Sequence, residues 1–140
     1  MDNHSNQPLL LRQVQDGVAT LTLNRPDARN ALSMALMGEM LEGFRQLGED
    51  KSVKVVILAA AGPGFCAGHD LKELRSKPKR EIYHSVFRRC SELMQTIVAL
   101  PKPVIAQVHG IATAAGCQLV ATCDLAIAGE DARFATPGVN

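Results

Sequence analysis

Apolar and polar residues alternate in "LLLRQVQ" and "VATLTLN", on either side of Asp16-Gly17. Period-two alternation marks a half-buried strand, and Asp-Gly supplies the positive φ of a tight turn, so the chain opens with a β-hairpin. "RPDARNA" follows as a loop. Leu36, Met37, Met40, Leu41, Phe44 and Leu47 then recur at helical spacing, and Ser33 stands where an N-cap hydroxyl is needed. "VKVVILAA" from Val53 is a β-branched run of strand length, ended by "AGPG". A short helix begins near Asp70. From Ile82 the apolar positions 82, 83, 86, 87, 90, 93, 94, 97 and 98 fall on one helical stripe, which "PKP" stops. "VIAQV" reads as a buried strand. "HGIATAAGCQLVATCD", from His109 to Asp124, gives a loop and then a helix of small residues. "DLAIAGE" and "ARFAT" are two further short strands.

A hairpin followed by alternating helices and strands implies an α/β protein with a largely buried sheet. No internal repeat, low-complexity tract or interdomain linker interrupts the 140 residues, which suffice for one domain. Two strand-to-helix junctions, "AGPGFCAGHDL" and "HGIATAAGCQL", are rich in Gly and Ala. Such junctions bring backbone amides to a helix start, where they lack intrahelical partners and the helix dipole is positive. Two of them side by side could donate two N–H groups to one oxygen, the arrangement of an oxyanion hole. The alternative is close helix–sheet packing with Gly and Ala as spacers, and the residues alone leave the two level.

Composition narrows the classes. Fifteen Lys and Arg against 14 Asp and Glu give a net charge of +1, and no basic block or aromatic-basic interleaving points to nucleic acid. The longest apolar run, Val53 to Ala61, is broken by Lys54 and is too short to span a bilayer. "MDNHSNQPLL" has neither a charged region followed by an apolar one nor the arginine-rich character of a transit peptide. A soluble cytoplasmic protein is the expectation, with a mitochondrial location left open. Cys66, Cys90, Cys117 and Cys123 form no CxxC pair and read as buried small hydrophobes. His4, His69, His84 and His109 show no ligand spacing, so no metal site is expected.

The pair of junctions resembles the enoyl-CoA hydratase/isomerase family, also called the crotonase superfamily. "NRPDARNAL" at 24–32 looks like its first loop, "VKVVILAAAGPGFCAGHDLKEL" at 53–74 like its first oxyanion segment, and "PKPVIAQVHGIATAAGCQLVATCDLAIA" at 101–128 like its second. Together these motifs are highly specific, and "AGHDLKEL", "GCQLVATCD" and "FATPGVN" resemble one subgroup in particular. The resemblance implies a spiral of repeated ββα units, truncated here before the C-terminal helices, that binds acyl-CoA thioesters. It implies a flexible N-terminus at 1–8 and a partial domain over 9–140. Coenzyme A enters only as part of the substrate, with no separate cofactor. Complete members form trimers, or hexamers as dimers of trimers; nucleic acid and membrane are not partners.

By the same resemblance, the backbone N–H of His69 gives one oxyanion donor and that of Ala115 the second. The backbone around Ala67 and Gly68 contacts the adenine of CoA, with His69 and Asp70 beside it. Ala28 and Arg29 border the pantetheine and nucleotide. The family's two catalytic glutamates fall at Gln118 and Gly138, and neither keeps a carboxylate. A glutamine can orient a water but cannot accept its proton, and a glycine can do neither. The implied function is therefore an acyl-CoA thioester protein of hydratase/isomerase type with weak or altered activity in fatty-acid metabolism. The alternative is a non-catalytic acyl-CoA-binding or regulatory homologue. A Clp-type protease, of related spiral fold, would need a serine nucleophile with a histidine base, and neither stands in the right junction.

Individual side chains have plainer readings. The His69 amide rather than its ring is the expected functional group. His84 is a partly exposed helical residue, and His109 is structural. Cys117, after Ala-Gly at a helix start, could carry a lowered thiol pKa, but no histidine is placed as its base. Asp70 caps its helix, and Asp124 anchors a turn.

Overall fold

The structure, a computed structural model, describes residues 7–138. The expected flexible N-terminus therefore lies outside the described residues, apart from Gln7 and Pro8. Strand β1 (Leu10–Gln15) pairs antiparallel with β2 (Val18–Leu23), Leu10 opposite Leu23 and Gln15 opposite Val18. Asp16 and Gly17 make the turn at φ 52° and 80°, the paired positive dihedrals that suit the twist of a hairpin. From β2 onward the sheet is parallel: β3 (Val55–Ala60), β4 (Val104–Val108) and β6 (Leu125–Ala128) follow in the order β1-β2-β3-β4-β6. Helices α1 (Met34–Glu49), α2 (Leu71–Ser76), α3 (Arg80–Ala99) and α4 (Ala115–Thr122) lie in the connections.

Helix α1 starts where its side-chain chemistry dictates. Ser33 Oγ accepts from the Leu36 amide at 3.1 Å, filling one donor that a helix start leaves open. At the other end the Lys102 ammonium donates to the carbonyls of Leu47 and Asp50, where the helix dipole favours a cation. Leu36, Met37, Met40, Phe44 and Leu47 are wholly buried against Leu21, Leu23 and Leu58 of the sheet and Leu93 of α3. Each such side chain contributes roughly 1.5–3 kcal/mol of burial.

Three features depart from the sequence reading. The stripe on α3 is narrower than nine positions: Val86, Cys90, Leu93, Met94 and Ile97 are buried, whereas Phe87 and Val98 are exposed. Each exposed residue follows a buried one and is turned about 100° away from it. The sheet is covered only at its centre, since most of β1 and all of β6 are exposed, including Leu125 and Ile127. Finally, the loop expected after His109 contains β5 (Ile111–Thr113), which pairs in parallel with β7 (Arg133–Ala135) as a second two-stranded sheet. Three residues are too few to show a period, and their partner lies more than a helix away.

Candidate functional site

The site is assembled from three loops held together by one buried amide. After β2 the chain makes a 3₁₀ turn at Pro26–Ala28, then places Arg29 and Asn30 in left-handed conformations at φ 51° and 56°. Asn30 tolerates that region because its short polar side chain can bond locally. It is fully buried. Its Nδ2 donates to Ala61 O at 2.9 Å and Gly64 O at 3.1 Å, and its Oδ1 accepts from Arg25 N at 2.8 Å. The Arg25 guanidinium donates to Ala31 O at 2.7 Å and to Asp70 Oδ2 at 3.1 Å. Asp70 also accepts from the Glu73 amide as the N-cap of α2, which confirms capping and leaves its carboxylate engaged on both oxygens.

The two small-residue junctions meet directly. Leu32 N donates to Gly68 O at 2.7 Å, Ala67 N to Arg29 O at 3.0 Å, and Thr113 N to Cys66 O at 3.0 Å. Gly68 lies at φ 95°, and a Cβ built there would stand 3.3 Å from Ala115 N. A Cβ on Gly116 would stand only 2.2 Å from Cys66 O. Close packing, the alternative reading of these small residues, is therefore real, and it brings backbone to backbone. Ala114 takes φ 53° and ψ −122°, held by its N–H on Ala135 O at 2.9 Å and its carbonyl on Gln118 N at 3.1 Å. Such a conformation costs a residue with a Cβ about 1–3 kcal/mol and is characteristic of functional sites. Within this meeting point, the amides of His69 and Ala115 donate no hydrogen bond to the described residues.

Side chains fall unevenly around these amides. The His69 ring meets Phe87 edge-on with centroids 5.1 Å apart. Its Nδ1 is buried without a hydrogen-bond partner, and burial lowers the imidazole below its ordinary pKa. Gln118 is exposed on α4, its carbonyl accepting from Thr122 Oγ1 at 2.7 Å. Gly138 is exposed with nothing within 4 Å of a built Cβ. His84 is exposed on α3, His109 Nε2 contacts Gly62 O at 2.6 Å, and Asp124 Oδ2 accepts from Val104 N at 2.8 Å. All four cysteines are free, Cys66 and Cys90 buried and Cys117 and Cys123 half-buried. Burial pushes the Cys66 thiol up to about 11 and that of Cys123 up to about 12.

A cleft of about 400 Å³ opens beside the first junction, lined by Arg25, Asp27, Ala28, Arg29, Ala67, Asp70 and Lys72. It unites Ala28, Arg29, Ala67 and Asp70, the residues singled out from sequence, and leaves Gly68 and His69 just outside its lining. With Arg25 paired to Asp70, Arg29 and Lys72 face a single further carboxylate, Asp27, so the cleft suits an anion. The sequence reading missed Arg25, Asp27 and Lys72; the charge run around "RPDAR" was the available signal. A larger cleft of about 610 Å³ shares Arg25, Asp70 and Lys72, and one of about 530 Å³ is lined by α3 residues. Neither is lined by a glycine or alanine of the small-residue junctions. Among the described residues, no group of three or more His, Cys, Asp or Glu could hold a metal, and no helix is long and apolar enough to cross a membrane.

Comparison with known proteins agrees with this architecture. The model of the enoyl-CoA hydratase/isomerase family matches residues 13–140. Enoyl-CoA hydratase domain-containing protein 3, mitochondrial, of Danio rerio is 48% identical over 132 residues, covering 94% of this chain and 46% of that protein. An enoyl-CoA hydratase structure from Mycobacterium smegmatis matches with a TM-score of 0.92 at 61% identity, over 96% of this chain and 52% of that one. The structure of human enoyl-CoA hydratase domain-containing protein 3 matches with a TM-score of 0.90 at 44% identity, over 95% and 53% of the two chains. Domain-containing protein 3 is the subgroup that "AGHDLKEL", "GCQLVATCD" and "FATPGVN" resemble. The chain spans about half the length of the curated relatives it matches. The Danio protein's name places that relative in mitochondria and lends no support to the cytoplasmic expectation.

Proposed function

The chain belongs to the enoyl-CoA hydratase/isomerase family, and on that premise we propose that it binds acyl-CoA thioesters and holds the thioester oxygen on the amides of His69 and Ala115. The observation that carries this reading is the pair of unpaired backbone donors where two small-residue junctions meet. Negative charge grows on a thioester oxygen when a proton leaves the neighbouring carbon or a nucleophile adds along the chain. Two preorganised N–H groups stabilise that charge, and removing one such donor typically costs ~100- to 1,000-fold in rate. The nucleotide end of CoA lies in the cleft of Ala28, Arg29 and Ala67, its phosphates near Arg29 and Lys72. Coenzyme A is part of the substrate and no other cofactor is needed.

Hydration is the weak part of the chemistry. Neither Gln118 nor Gly138 can take a proton from water, so polarisation of the thioester survives while water activation does not. The second reading, a non-catalytic acyl-CoA binder, is favoured by that same pair of residues. Titration calorimetry with crotonyl-CoA, followed by a hydration assay, separates the two. Binding with slow turnover supports a weak enzyme, binding without turnover the second reading, and no binding overturns both. Homotrimers or hexamers, as partners for the exposed Leu125, Ile127 and Phe134, are part of the proposal, and sedimentation of the chain tests them.

A further inference from the structure

We propose that the imidazole of His69 is a catalytic proton carrier at the thioester site, taking a proton from the carbon beside the carbonyl and returning it. The inference rests on the thioester reading above and adds to it a side chain so far credited only with its amide. Ring and amide belong to one residue, so the ring is carried only a few bonds from the N–H that would hold the oxygen. The reacting carbon is one bond from the carbonyl carbon. A base on this residue is therefore near the proton it would remove.

The ring is otherwise unemployed. Buried side-chain nitrogens nearly always find a partner, yet Nδ1 has none. Its packing against Phe87, edge to face, fixes the ring plane and uses neither nitrogen. The titratable and charged groups on the surrounding segments are Arg29 of the first loop, Asp70, Lys72 and Glu73 at the start of α2, Tyr83, His84 and Arg88 on α3, and Cys117 on α4. None forms a hydrogen bond or ion pair with the ring, and Asp70 is committed to Arg25. Burial alone lowers the ring's proton affinity, which leaves it neutral, and able to accept, near pH 7. No carboxylate competes for this role at Gln118 or Gly138.

The step balances without a co-reactant. The C–H bond beside the carbonyl breaks, and its electron pair moves into the thioester to form an enolate held by the two amides. The proton goes to the ring. Once the ring has traded that proton for one from solvent, delivery to the same carbon gives exchange; in a 3-unsaturated thioester, delivery to the fourth carbon of the acyl chain, counted from the carbonyl, gives migration of the double bond. One carrier suffices for both, whereas hydration needs a second group to activate water. The substrate class is accordingly a saturated or 3-unsaturated acyl thioester.

The test is deuterium exchange. The chain is incubated with butanoyl-CoA in deuterated buffer, and label at the carbon beside the carbonyl is followed by NMR. His69→Gln keeps the amide and removes the base. A fall of about 100-fold or more in exchange, far larger than any loss of calorimetric affinity for butanoyl-CoA, is the expected result. In the unaltered chain, exchange should rise with pH and level off at a midpoint below the ordinary imidazole value of 6.5; this readout stands even if the variant does not fold. Equal exchange in His69→Gln, or binding without exchange by the unaltered chain, overturns the proposal. No binding of butanoyl-CoA by the unaltered chain overturns the thioester reading itself.

Discussion

Replacing Gly116 by Ala sets two effects of opposite sign against each other. Gly116 is the second residue of α4, and Gly→Ala inside a helix ordinarily stabilises by about 1 kcal/mol. Here the added methyl would lie 2.2 Å from Cys66 O, 2.8 Å from Cys66 C and 2.9 Å from Cys66 Cβ. All three atoms belong to a buried residue in the loop below, and two are backbone. Relief requires the start of α4 to move by about 1 Å, at an overpacking cost of about 1–3 kcal/mol or more. A 2.2 Å approach to a backbone oxygen puts the cost at the upper end of that range, so the packing term wins and Gly116→Ala should lower stability by about 2 kcal/mol net. The same shift moves the Ala115 amide, which is proposed to share an oxygen with that of His69, and a misplacement of about 1 Å can cost ~100-fold in a positioned reaction. Gly38 on α1 is the control: its built Cβ meets only the tip of the flexible Arg89 side chain at 3.2 Å. Gly38→Ala should stabilise by about 0.5–1 kcal/mol. Urea melts of both variants, with acyl-CoA titrations, provide the comparison. Equal gains in stability from both substitutions would refute the argument that backbone contact fixes the junction.

Asn30→Ala removes partners from Ala61 O, Gly64 O and Arg25 N and puts Ala in a left-handed conformation; a loss of about 3 kcal/mol is expected in urea melts. His69 is held less basic in the fold than in the unfolded chain. Its contribution to stability is therefore complete above the unfolded pKa of 6.5 and is lost as pH falls through the lower folded value. His69→Gln should accordingly narrow the stability difference between about pH 7 and about pH 5, as read by denaturant midpoints. Gln118→Glu combined with Gly138→Glu should raise crotonyl-CoA hydration by about tenfold or more and by more than either change alone. No gain in a folded double variant that still binds the thioester would remove these two positions from the mechanism.

Much of the frame was legible because its causes are local. The hairpin follows from Asp16-Gly17, α1 from Ser33 and six apolar residues, and the helix stop from Pro101 and Pro103. The pairing of β5 with β7 was not, since neither strand is long enough to declare a period. The role of Asn30 was also hidden. Its bonds reach Ala61 and Gly64, 31 and 34 residues away, and a lone Asn in a loop looks like any turn residue. The Arg25–Asp70 pair spans 45 residues and was equally silent, although Asp70 was identified as a cap. Ala114 gave no sign of its positive φ, because alanine, which carries a Cβ and no polar side chain to bond locally, rarely takes it. The cleft was anticipated at Ala28, Arg29, Ala67 and Asp70 through family resemblance, and Asp27 and Lys72 came only from the folded loops.

The contact between Gly116 and the Cys66 carbonyl also bears on how such a chain can change over generations. The two N–H groups proposed to hold the oxygen are main-chain atoms, and the approach of their two junctions is set by the lack of a side chain rather than by the presence of one. Short of proline at position 69, which has no N–H, no substitution at position 69 or 118 deletes them, so the side chains there can be exchanged one at a time while the pair of donors persists. Inheritance of this scaffold thus separates into two alphabets. One is strict at Gly68 and Gly116, where only the smallest letter fits. The other is permissive at His69 and Gln118, where a lineage can change the side chain without first losing the backbone donors.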